Sequence, residues 1–269
     1  MKNYLYLFVV CSLLVSCHQV KQEEEQECCT CESLTPCDAY GLSQYPAAWP
    51  AKQGLWDYPV KPGMEEWNKN HKEENVNACQ IPEELLSSLS TEDLTNICVR
   101  YPYLMDVFAW NTFHYALEAK YNEFNGIREL FKRKETSKEL LKYCICLQTL
   151  SNSNFDFEED LHRRFEFRLF LCEVEFLLGF YTQKADAISE EDCKQILQCL
   201  CLAIDHEHEL GIHRASKYNY YARANAINRI DPKIFENMPY MYDGTGCGVL
   251  GYFDELKDII NELSYRLIK

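Results

Sequence analysis

Glycine and proline are scarce in this chain of 269 residues, which has 10 Gly and 9 Pro. Because these two residues interrupt helices, their scarcity favours long helical segments. Basic residues are also few: 27 Lys and Arg stand against 42 Asp and Glu, so the net charge is −15. Nucleic acids and anionic lipid headgroups bind positive surfaces, so this charge argues against both as partners. The apolar share of 47% excludes a wholly disordered chain.

The N-terminus has an apolar run from Tyr4 to Leu14 that is too short to span about 30 Å of hydrocarbon. The run suits the apolar part of a signal peptide, with Lys2 as its positive start. Leu14-Val15-Ser16-Cys17 follows and resembles the lipobox of bacterial lipoproteins. The resemblance implies that residues 1–16 are cleaved off and that acylated Cys17 anchors the protein in the outer membrane. The alternative is a simple secretory peptide with Cys17 near an ordinary cleavage site.

An acidic cluster follows the proposed lipid attachment site. Its members are Glu23, Glu24, Glu25 and Glu27. The cluster resembles the surface-export signal of Bacteroidetes lipoproteins, which implies that the protein faces the outside of the cell. The alternative is a solvated spacer, which is the usual role of a charge run.

The chain divides into four segments by composition. We interpret residues 1–16 as the signal peptide and 17–37 as a lipidated, acidic, Cys-rich tether. Residues 38–62 are rich in proline and aromatic residues, and we predict an extended strap whose Trp and Tyr side chains pack on the folded body. Residues 63–269 form the predicted helical domain.

Within 63–269 the apolar residues recur with helical spacing, and no stretch alternates as a strand does. Three predicted helix starts pair a hydroxyl residue with an acid three positions later. These pairs are Ser90 with Asp93, Thr136 with Glu139, and Ser189 with Asp192. Pro102 predicts a helix end, and Asn125-Gly126 predicts a break.

The segment from Phe165 to Tyr181 is apolar on more than one face, which predicts a central helix covered on several sides. Its acids, among them Glu173 and Glu175, argue against a membrane span. We therefore predict an all-α fold of roughly nine or ten helices packed as antiparallel neighbours, in an irregular bundle or a short α-α array.

Part of the helical domain resembles all-helical lipoproteins and secreted proteins of Bacteroides-type bacteria, a group without an assigned reaction. The resemblance covers residues 57–145, and weakly the Leu-Ile-Lys end of the chain. The segments that carry it are Cys79-Gln80-Ile81-Pro82-Glu83-Glu84-Leu85, Ser90-Thr91-Glu92-Asp93-Leu94, Tyr101-Pro102, and Phe124-Asn125-Gly126-Ile127-Arg128-Glu129-Leu130. It implies a helical, exported protein and no catalytic residue.

The chain has 15 cysteines, of which 13 remain beyond the signal peptide and Cys17. Several, including Cys98, Cys144, Cys172 and Cys193, fall on apolar helix faces, where cysteine behaves as a small hydrophobic residue. Four others cluster in the polar tether, where disulfides, free thiols and a metal site all stay open. These four are Cys28, Cys29, Cys31 and Cys37.

Two motifs are candidates for binding. On one helix, His206, Glu209 and His213 would share a face at metal-ligand spacing, although no H-E-x-x-H motif is present. The alternative is the polar outer face of a helix that ends near Gly211. Asp243-Gly244-Thr245-Gly246-Cys247-Gly248 is interpreted as a turn before the last helix, with anion binding as its alternative.

The sequence contains no recognisable set of catalytic motifs, so we expect no cofactor. The first hypothesis, which we prefer to an enzyme, is a non-catalytic module that binds a protein or macromolecule. The second hypothesis is a glycan-, peptide- or small-molecule-binding protein that uses a groove between helices, since the aromatic content of 13% supplies stacking side chains. The third is an enzyme built on the His206, Glu209 and His213 face.

Overall fold

The computed structural model describes residues 54–110, 113–152, 161–185, 188–209, 213–236 and 253–268. Within these ranges the chain forms twelve α-helices and one 3₁₀ helix, without a β-strand, which confirms the all-α class. The helices are α1 (Glu65–Lys69), α2 (Lys72–Ala78), α3 (Glu83–Ser88), α4 (Thr91–Val99), the 3₁₀ helix (Leu104–Ala109), α5 (Phe113–Glu123), α6 (Asn125–Leu130), α7 (Thr136–Asn152), α8 (Leu161–Lys184), α9 (Glu190–Glu209), α10 (His213–Ile230), α11 (Lys233–Glu236) and α12 (Phe253–Ile268).

The count exceeds the nine or ten helices that we expected because the chain up to residue 131 is divided into short pieces. Helix α1 has five residues, α3 and α6 have six, and α4 has nine. Helices of this length are marginal in water on their own, so their stability comes from the contacts they make.

Two of the three predicted caps are confirmed. Ser90 Oγ accepts a hydrogen bond from the Asp93 amide at 3.0 Å, and Ser189 Oγ accepts one from the Asp192 amide at the same distance. The prediction for Thr136 is wrong. Thr136 is the first residue of α7, and its buried hydroxyl donates to the Leu130 carbonyl instead of capping the helix.

The predicted break at Asn125-Gly126 lies one residue earlier, because α6 already begins at Asn125. The Asn125 side chain accepts from the Ile81 amide at 3.0 Å and donates to the Ile81 carbonyl at 2.7 Å. Asn125 therefore joins the start of α6 to the chain before α3, and Phe124 forms the break.

Helix α8 is the predicted central helix, and its bounds extend beyond the expected segment. Every residue from 170 to 182 is buried. Helix α8 packs mainly against α10 and also contacts α7. An apolar helix that neighbours cover on several sides is what the sequence pattern predicts.

Consecutive long helices run antiparallel, as predicted. Near the end of α8, the Tyr181 hydroxyl donates to the carbonyl of Arg133, which lies just before the start of α7. Further along α7, Cys144 lies near Glu175, which is earlier in α8. Helices α9 and α10 are also antiparallel, since Asn219 donates to the Leu200 carbonyl while Arg229 lies near Cys193.

Helices α8 and α10, which are two apart in sequence, run in the same direction. Asn219 contacts Glu175, and further along both helices Asn225 donates to the Gly179 carbonyl. The two backbones approach closely at Gly179, where an added Cβ would lie 2.6 Å from the Ala222 Cα. Only a glycine fits at this contact.

Arginines satisfy helix carbonyls where glycine caps are scarce. Among the described residues the glycines with positive φ, Gly54 and Gly63, both precede α1. Carbonyl groups at the end of a helix need other donors in the absence of a glycine cap. The donor and acceptor sets are Arg128 with Tyr121 and Asn122 of α5, Arg133 with Leu86 and Leu89 around the end of α3, and Arg229 with Thr182, Gln183 and Ala185 around the end of α8.

The two ends of the helical domain complete the core. Residues 54–62 form no helix, yet Tyr58 is buried and its hydroxyl donates to the Ile97 carbonyl at 2.7 Å. The rest of the predicted strap, residues 38–53, lies outside the described residues. At the other end, Ile260 and Leu263 of α12 are buried, as the helical spacing of apolar residues within 63–269 predicts.

Candidate functional site

The structure does not cover the residues on which the anchoring prediction depends. Cys17, the acidic cluster and the four tether cysteines lie outside the described residues, and so does the turn at 243–248. Among the described residues, no helix combines the length and apolar character that a membrane span requires.

The candidate metal-binding residues belong to two helices. His206 and Glu209 lie in the last turn of α9, and His213 is the first residue of α10. The spacing predicted one continuous helix face for the three residues. This prediction is wrong, because His213 belongs to a second helix, α10, which runs antiparallel to α9. Their side chains lie outside the described set, so metal binding stays a hypothesis. The side chains that are described contain no group of three or more His, Cys, Asp or Glu able to hold a metal ion.

The seven cysteines whose side chains the structure describes are buried, which confirms the prediction for Cys98, Cys144, Cys172 and Cys193. Burial raises the pKa of Cys79 to about 12 and that of Cys193 to about 11. Since the thiolate is the nucleophile, these thiols are unreactive in the folded protein.

A charged cluster lies where α2, the 3₁₀ helix and α5 meet. We call it the Lys120 cluster, and it comprises Lys72, Tyr101, Tyr103, Asp106, Lys120 and Glu123. The Lys120 side chain is 1% exposed, and its Nζ lies 3.0 and 3.1 Å from the two Glu123 oxygens and 3.3 Å from Asp106 Oδ2. An ammonium group has three protons, so these three oxygens match its donors.

The neighbours of Lys120 are held by partners of their own. Asp106 Oδ2 also accepts from Lys72 Nζ at 2.6 Å. The Tyr101 hydroxyl donates to Glu123 Oε1 at 2.6 Å. Burial, together with this hydrogen bond, raises the pKa of Tyr101 well above its usual value. The hydrogen bond and charge of Asp106 outweigh the opposing effect of partial burial and raise the pKa of Lys72. Tyr101 therefore stays protonated and Lys72 stays charged at neutral pH.

Aromatic rings form the walls of the cluster. The Tyr101 ring stacks on Phe124 with the ring centroids 4.2 Å apart, and the Tyr103 ring stacks on Trp67 at 4.6 Å. Lys120 Nζ lies 5.5 Å from the Tyr103 ring centroid, within the range of cation–π attraction. The rings help to shield the ion pair of Lys120 and Glu123 from water, which strengthens it.

A second buried polar region lies on α8. Glu173 is 2% exposed, and its Oε1 accepts no hydrogen bond among the described residues. Burial alone raises the pKa of Glu173 well above its usual value. Glu175 is also buried, and its Oε1 lies 3.4 Å from Asn219 Nδ2. Burial thus favours the neutral form of the Glu173 carboxyl group.

The sequence interpretation missed the Lys120 cluster. The spacing of Lys120 and Glu123 is a common pattern on helix surfaces, and the acceptor Asp106 comes from another element. The one local signal was the Tyr101-Pro102 pair followed by Tyr103, because it ends α4 and places two phenol rings beside α5. Sequence spacing alone does not indicate that Lys120 is buried.

In comparisons with known proteins, no protein-family model, curated protein or solved structure matches the chain.

Proposed function

We propose that this chain is a lipid-anchored, non-catalytic helical interaction module of the bacterial outer membrane, exposed at the cell surface. The observation that carries the proposal is Leu14-Val15-Ser16-Cys17, directly after an apolar run of signal-peptide length. Several acyl chains on Cys17 would make the anchor effectively permanent.

The Lys120 cluster supports a non-catalytic role. Its ammonium groups, carboxylates and the Tyr101 phenol are bound to one another at 2.6–3.3 Å. A catalytic acid or base needs a proton that it exchanges near the working pH, whereas burial and the bond to Glu123 keep the Tyr101 proton in place. The cluster therefore has a structural role: its ion pairs and hydrogen bonds hold α2, the 3₁₀ helix and α5 together.

Exposed aromatic side chains support binding of a partner protein. Trp110 is 46% exposed and follows the 3₁₀ helix, and Tyr115 on α5 is 54% exposed. Aromatic residues are enriched in the centres of protein interfaces because they bury a large area with few rotatable bonds.

Glycan binding is the second candidate. Trp110 follows the helix that carries Asp106, whose carboxylate is partly exposed. An exposed aromatic face is able to stack on a sugar ring, and a partly exposed carboxylate is able to accept hydroxyl protons. Both candidates predict that Trp110 contributes to binding.

The anchor is tested by Cys17→Ala, with Cys11→Ala as the matched control inside the signal peptide. We expect the Cys17 variant to lose incorporation of labelled palmitate and to leave the membrane fraction, or to stay unprocessed. The Cys11 variant should be labelled and anchored as the wild type is. A Cys17 variant that stays membrane-bound at the mature size would contradict the lipoprotein proposal.

Surface exposure is tested by protease treatment of intact cells. Loss of the helical domain supports exposure, and full protection alongside a digested surface control contradicts it. Replacing Glu23, Glu24, Glu25 and Glu27 by Ala should make the domain protected if the acids are an export signal. The control replaces Glu65 and Glu66 of α1, which are exposed acids in the folded domain.

Partner binding is tested with a photo-crosslinking amino acid at position 110, and position 265 is the control because Tyr265 is 52% exposed on α12. The proposal expects a discrete protein adduct from position 110 and none from 265. Binding of Trp110→Ala to purified cell-surface glycans, compared with Tyr265→Ala, tests the second candidate. Equal behaviour of positions 110 and 265 in both assays would remove Trp110 from the proposal.

A further inference from the structure

Residues 54–60 form no helix and lie against the helical core, and we call this segment the docked strap. Tyr58 and Val60 are buried, and the Val60 carbonyl accepts a hydrogen bond from the buried Cys79 side chain at 3.5 Å. The partly buried Trp56 meets the Tyr58 ring edge-on, with the ring centroids 4.9 Å apart. The docked strap is therefore a separate piece of chain that covers part of the core.

The helices hold the docked strap through specific contacts. The Tyr58 hydroxyl donates to the Ile97 carbonyl at 2.7 Å, and the Tyr58 ring lies 6.0 Å from the Phe124 ring between centroids. Asp57 Oδ1 accepts a hydrogen bond from Nη1 of the buried Arg100 at 3.2 Å. The surface that receives the segment, which we call the strap site, is made of Cys79, Ile97, Arg100 and Phe124. None of these residues is a sequence neighbour of the docked strap, so the site recognises the segment through space.

A tight turn, Lys61-Pro62-Gly63-Met64, joins the docked strap to α1. The Met64 amide donates to the Lys61 carbonyl at 3.1 Å, and Gly63 has a φ of +90°. Proline at the second position and a glycine with positive φ at the third are typical of a type II turn. Within the described ranges, this turn is the one covalent link between the docked strap and the helices. Opening the turn therefore releases the strap without breaking a described helix.

We propose that the docked strap exchanges between two copies of this chain, so that the strap of each copy occupies the strap site of the other. Each contact of the strap is rebuilt in the exchanged dimer, because segment and site are identical in the two copies. The two forms then differ in the turn, which is closed in the monomer and open in the dimer, and in the cost of association. The inference concerns a contact between copies and does not depend on the proposed lipid anchor.

The experiment mixes isotopically light and heavy forms of the full chain under reducing conditions. In both forms Trp56 is replaced by benzoylphenylalanine, a photo-crosslinking amino acid that keeps an aromatic ring at this position. Irradiation of the dilute protein first identifies the helix residue that becomes joined to the strap peptide, 53–69 after trypsin digestion, within a monomer. The proposal expects the concentrated mixture to form a dimer in which the light strap peptide is joined to that same residue of a heavy chain.

Gly63→Ala and Gly54→Ala form a matched pair of variants that tests the turn. Both glycines have a positive φ, +90° and +81°, and an added Cβ would meet nothing within 4 Å at either position. Alanine strains the backbone at both positions, but only Gly63 belongs to the turn that opens. Relief of this strain favours each open turn by about 5-fold or more, and the dimer opens two turns. We therefore expect Gly63→Ala to raise the dimerisation constant by roughly 30-fold or more, and Gly54→Ala to leave it unchanged.

Tyr58→Phe distinguishes exchange from dimerisation through another surface. The variant loses the hydrogen bond to the Ile97 carbonyl in the monomer and in the exchanged dimer alike, so the dimer fraction should stay the same. Release of the strap requires this bond to break, so light and heavy chains should mix roughly 2- to 10-fold faster than in the wild type. A dimer that leaves the strap in place would show no such change in rate.

Three results would overturn the proposal. The first is a chain that stays monomeric when concentrated, both as the wild type and as Gly63→Ala. The second is a dimer whose crosslinks between chains fall on residues other than the one found in the monomer. The third is equal dimerisation of Gly63→Ala and Gly54→Ala.

The wild-type chain keeps the test decisive if Gly63→Ala does not fold. Light and heavy wild-type chains that are unfolded and refolded together at high concentration give the same crosslinking readout. The chains carry no acyl group in this experiment, so failure of the proposed anchor leaves its result unchanged. Failure of strap exchange likewise leaves the proposed anchor standing.

Discussion

In the described part of residues 54–131, helices of five to eleven residues combine buried apolar faces with paired charges and stacked rings, whereas the described part of residues 136–268 has helices of up to 24 residues that pack mainly through apolar faces. One buried cation of the first region, Lys120, contacts carboxylate oxygens on two elements. One buried carboxyl group of the second region, Glu173, has an oxygen that accepts no hydrogen bond among the described residues. Lys120 is thus buried together with charged partners, whereas Glu173 is buried among apolar neighbours.

The difference follows from helix length. A short helix has little apolar surface, so specific pairs must fix its position, and each pair has to be satisfied. A long helix such as α8 buries enough apolar area to offset the cost of burying one carboxyl group. We therefore expect the first region to be sensitive to loss of a partner and the second to loss of close packing.

The largest expected effect is that of Gly179→Ala at the contact between α8 and α10. The added Cβ would lie 2.6 Å from the Cα and Cβ of Ala222, so two helix backbones must separate. We expect a loss of about 3 kcal/mol in the free energy of unfolding, measured by urea denaturation. Gly126→Ala is the control, because its Cβ would meet side-chain atoms of Phe124 and Ile81. It should cost about 1 kcal/mol, and equal losses would show that backbone approach is not what α8 requires.

The next effect is that of Glu123→Ala, which leaves the buried Lys120 with Asp106 as its remaining carboxylate partner and removes the acceptor of the Tyr101 hydroxyl. We expect a loss of about 2–3 kcal/mol in the free energy of unfolding, because the buried ammonium group is no longer fully paired. Glu129→Ala is the control, since Glu129 pairs with Arg133 and Lys132 in more accessible positions. It should cost about 0.5 kcal/mol. A loss at Glu123 no larger than at Glu129 would contradict the role of the cluster.

The third prediction concerns Glu173, whose pKa in the folded protein is raised by burial. The folded state then binds more protons than the unfolded state, so the stabilising effect of the proton is complete below the ordinary pKa of Glu and is lost as the pH rises toward the folded pKa. Glu173→Gln removes this dependence. We expect the variant to be about 1–2 kcal/mol more stable than the wild type at pH 7 and close to it at pH 4.

Urea denaturation at several pH values measures this effect, with exposed Glu66→Gln as the control. A difference between Glu173→Gln and the wild type that does not change with pH would show that Glu173 is charged in the folded state. The prediction bears on the comparison of the two regions. It states that burying the Glu173 carboxyl group lowers the free energy of unfolding and that the apolar packing of the second region offsets this loss.

Sequence patterns predicted the second region better than the first. The apolar pattern of residues 165–181 alone identified α8, because a long helix repeats its pattern over several turns. The first region depends on contacts between elements distant in sequence. Asn125 pairs with Ile81, and Arg133 caps the end of α3 through Leu86 and Leu89. Local patterns carry no information about such partners.

One wrong prediction and one missed feature have the same physical origin. Thr136 has the sequence context of a cap, yet its hydroxyl donates to the Leu130 carbonyl because the site is buried against the preceding turn. Lys120 has the context of a surface lysine, yet it lies under two tyrosine rings. In both cases tertiary burial determines which partner a polar group finds.

The smallest expected effects are those of Ser90→Ala in the first region and Ser189→Ala in the second. Each serine accepts one backbone amide at 3.0 Å and donates to the carboxylate of the residue it caps, Asp93 or Asp192. Because the lost interaction is local and the same, we expect each variant to lose about 1 kcal/mol in urea denaturation, whatever the length of the helix. Ser87→Ala is the control, since its exposed hydroxyl bonds within α3, and it should stay within about 0.5 kcal/mol of the wild type.

Buried side chains of both regions belong to one core, so both caps should report the same cooperative unfolding. A loss at Ser90 with none at Ser189 would mean that the two regions unfold separately, and the contrast between them would then be one of domains and not of packing.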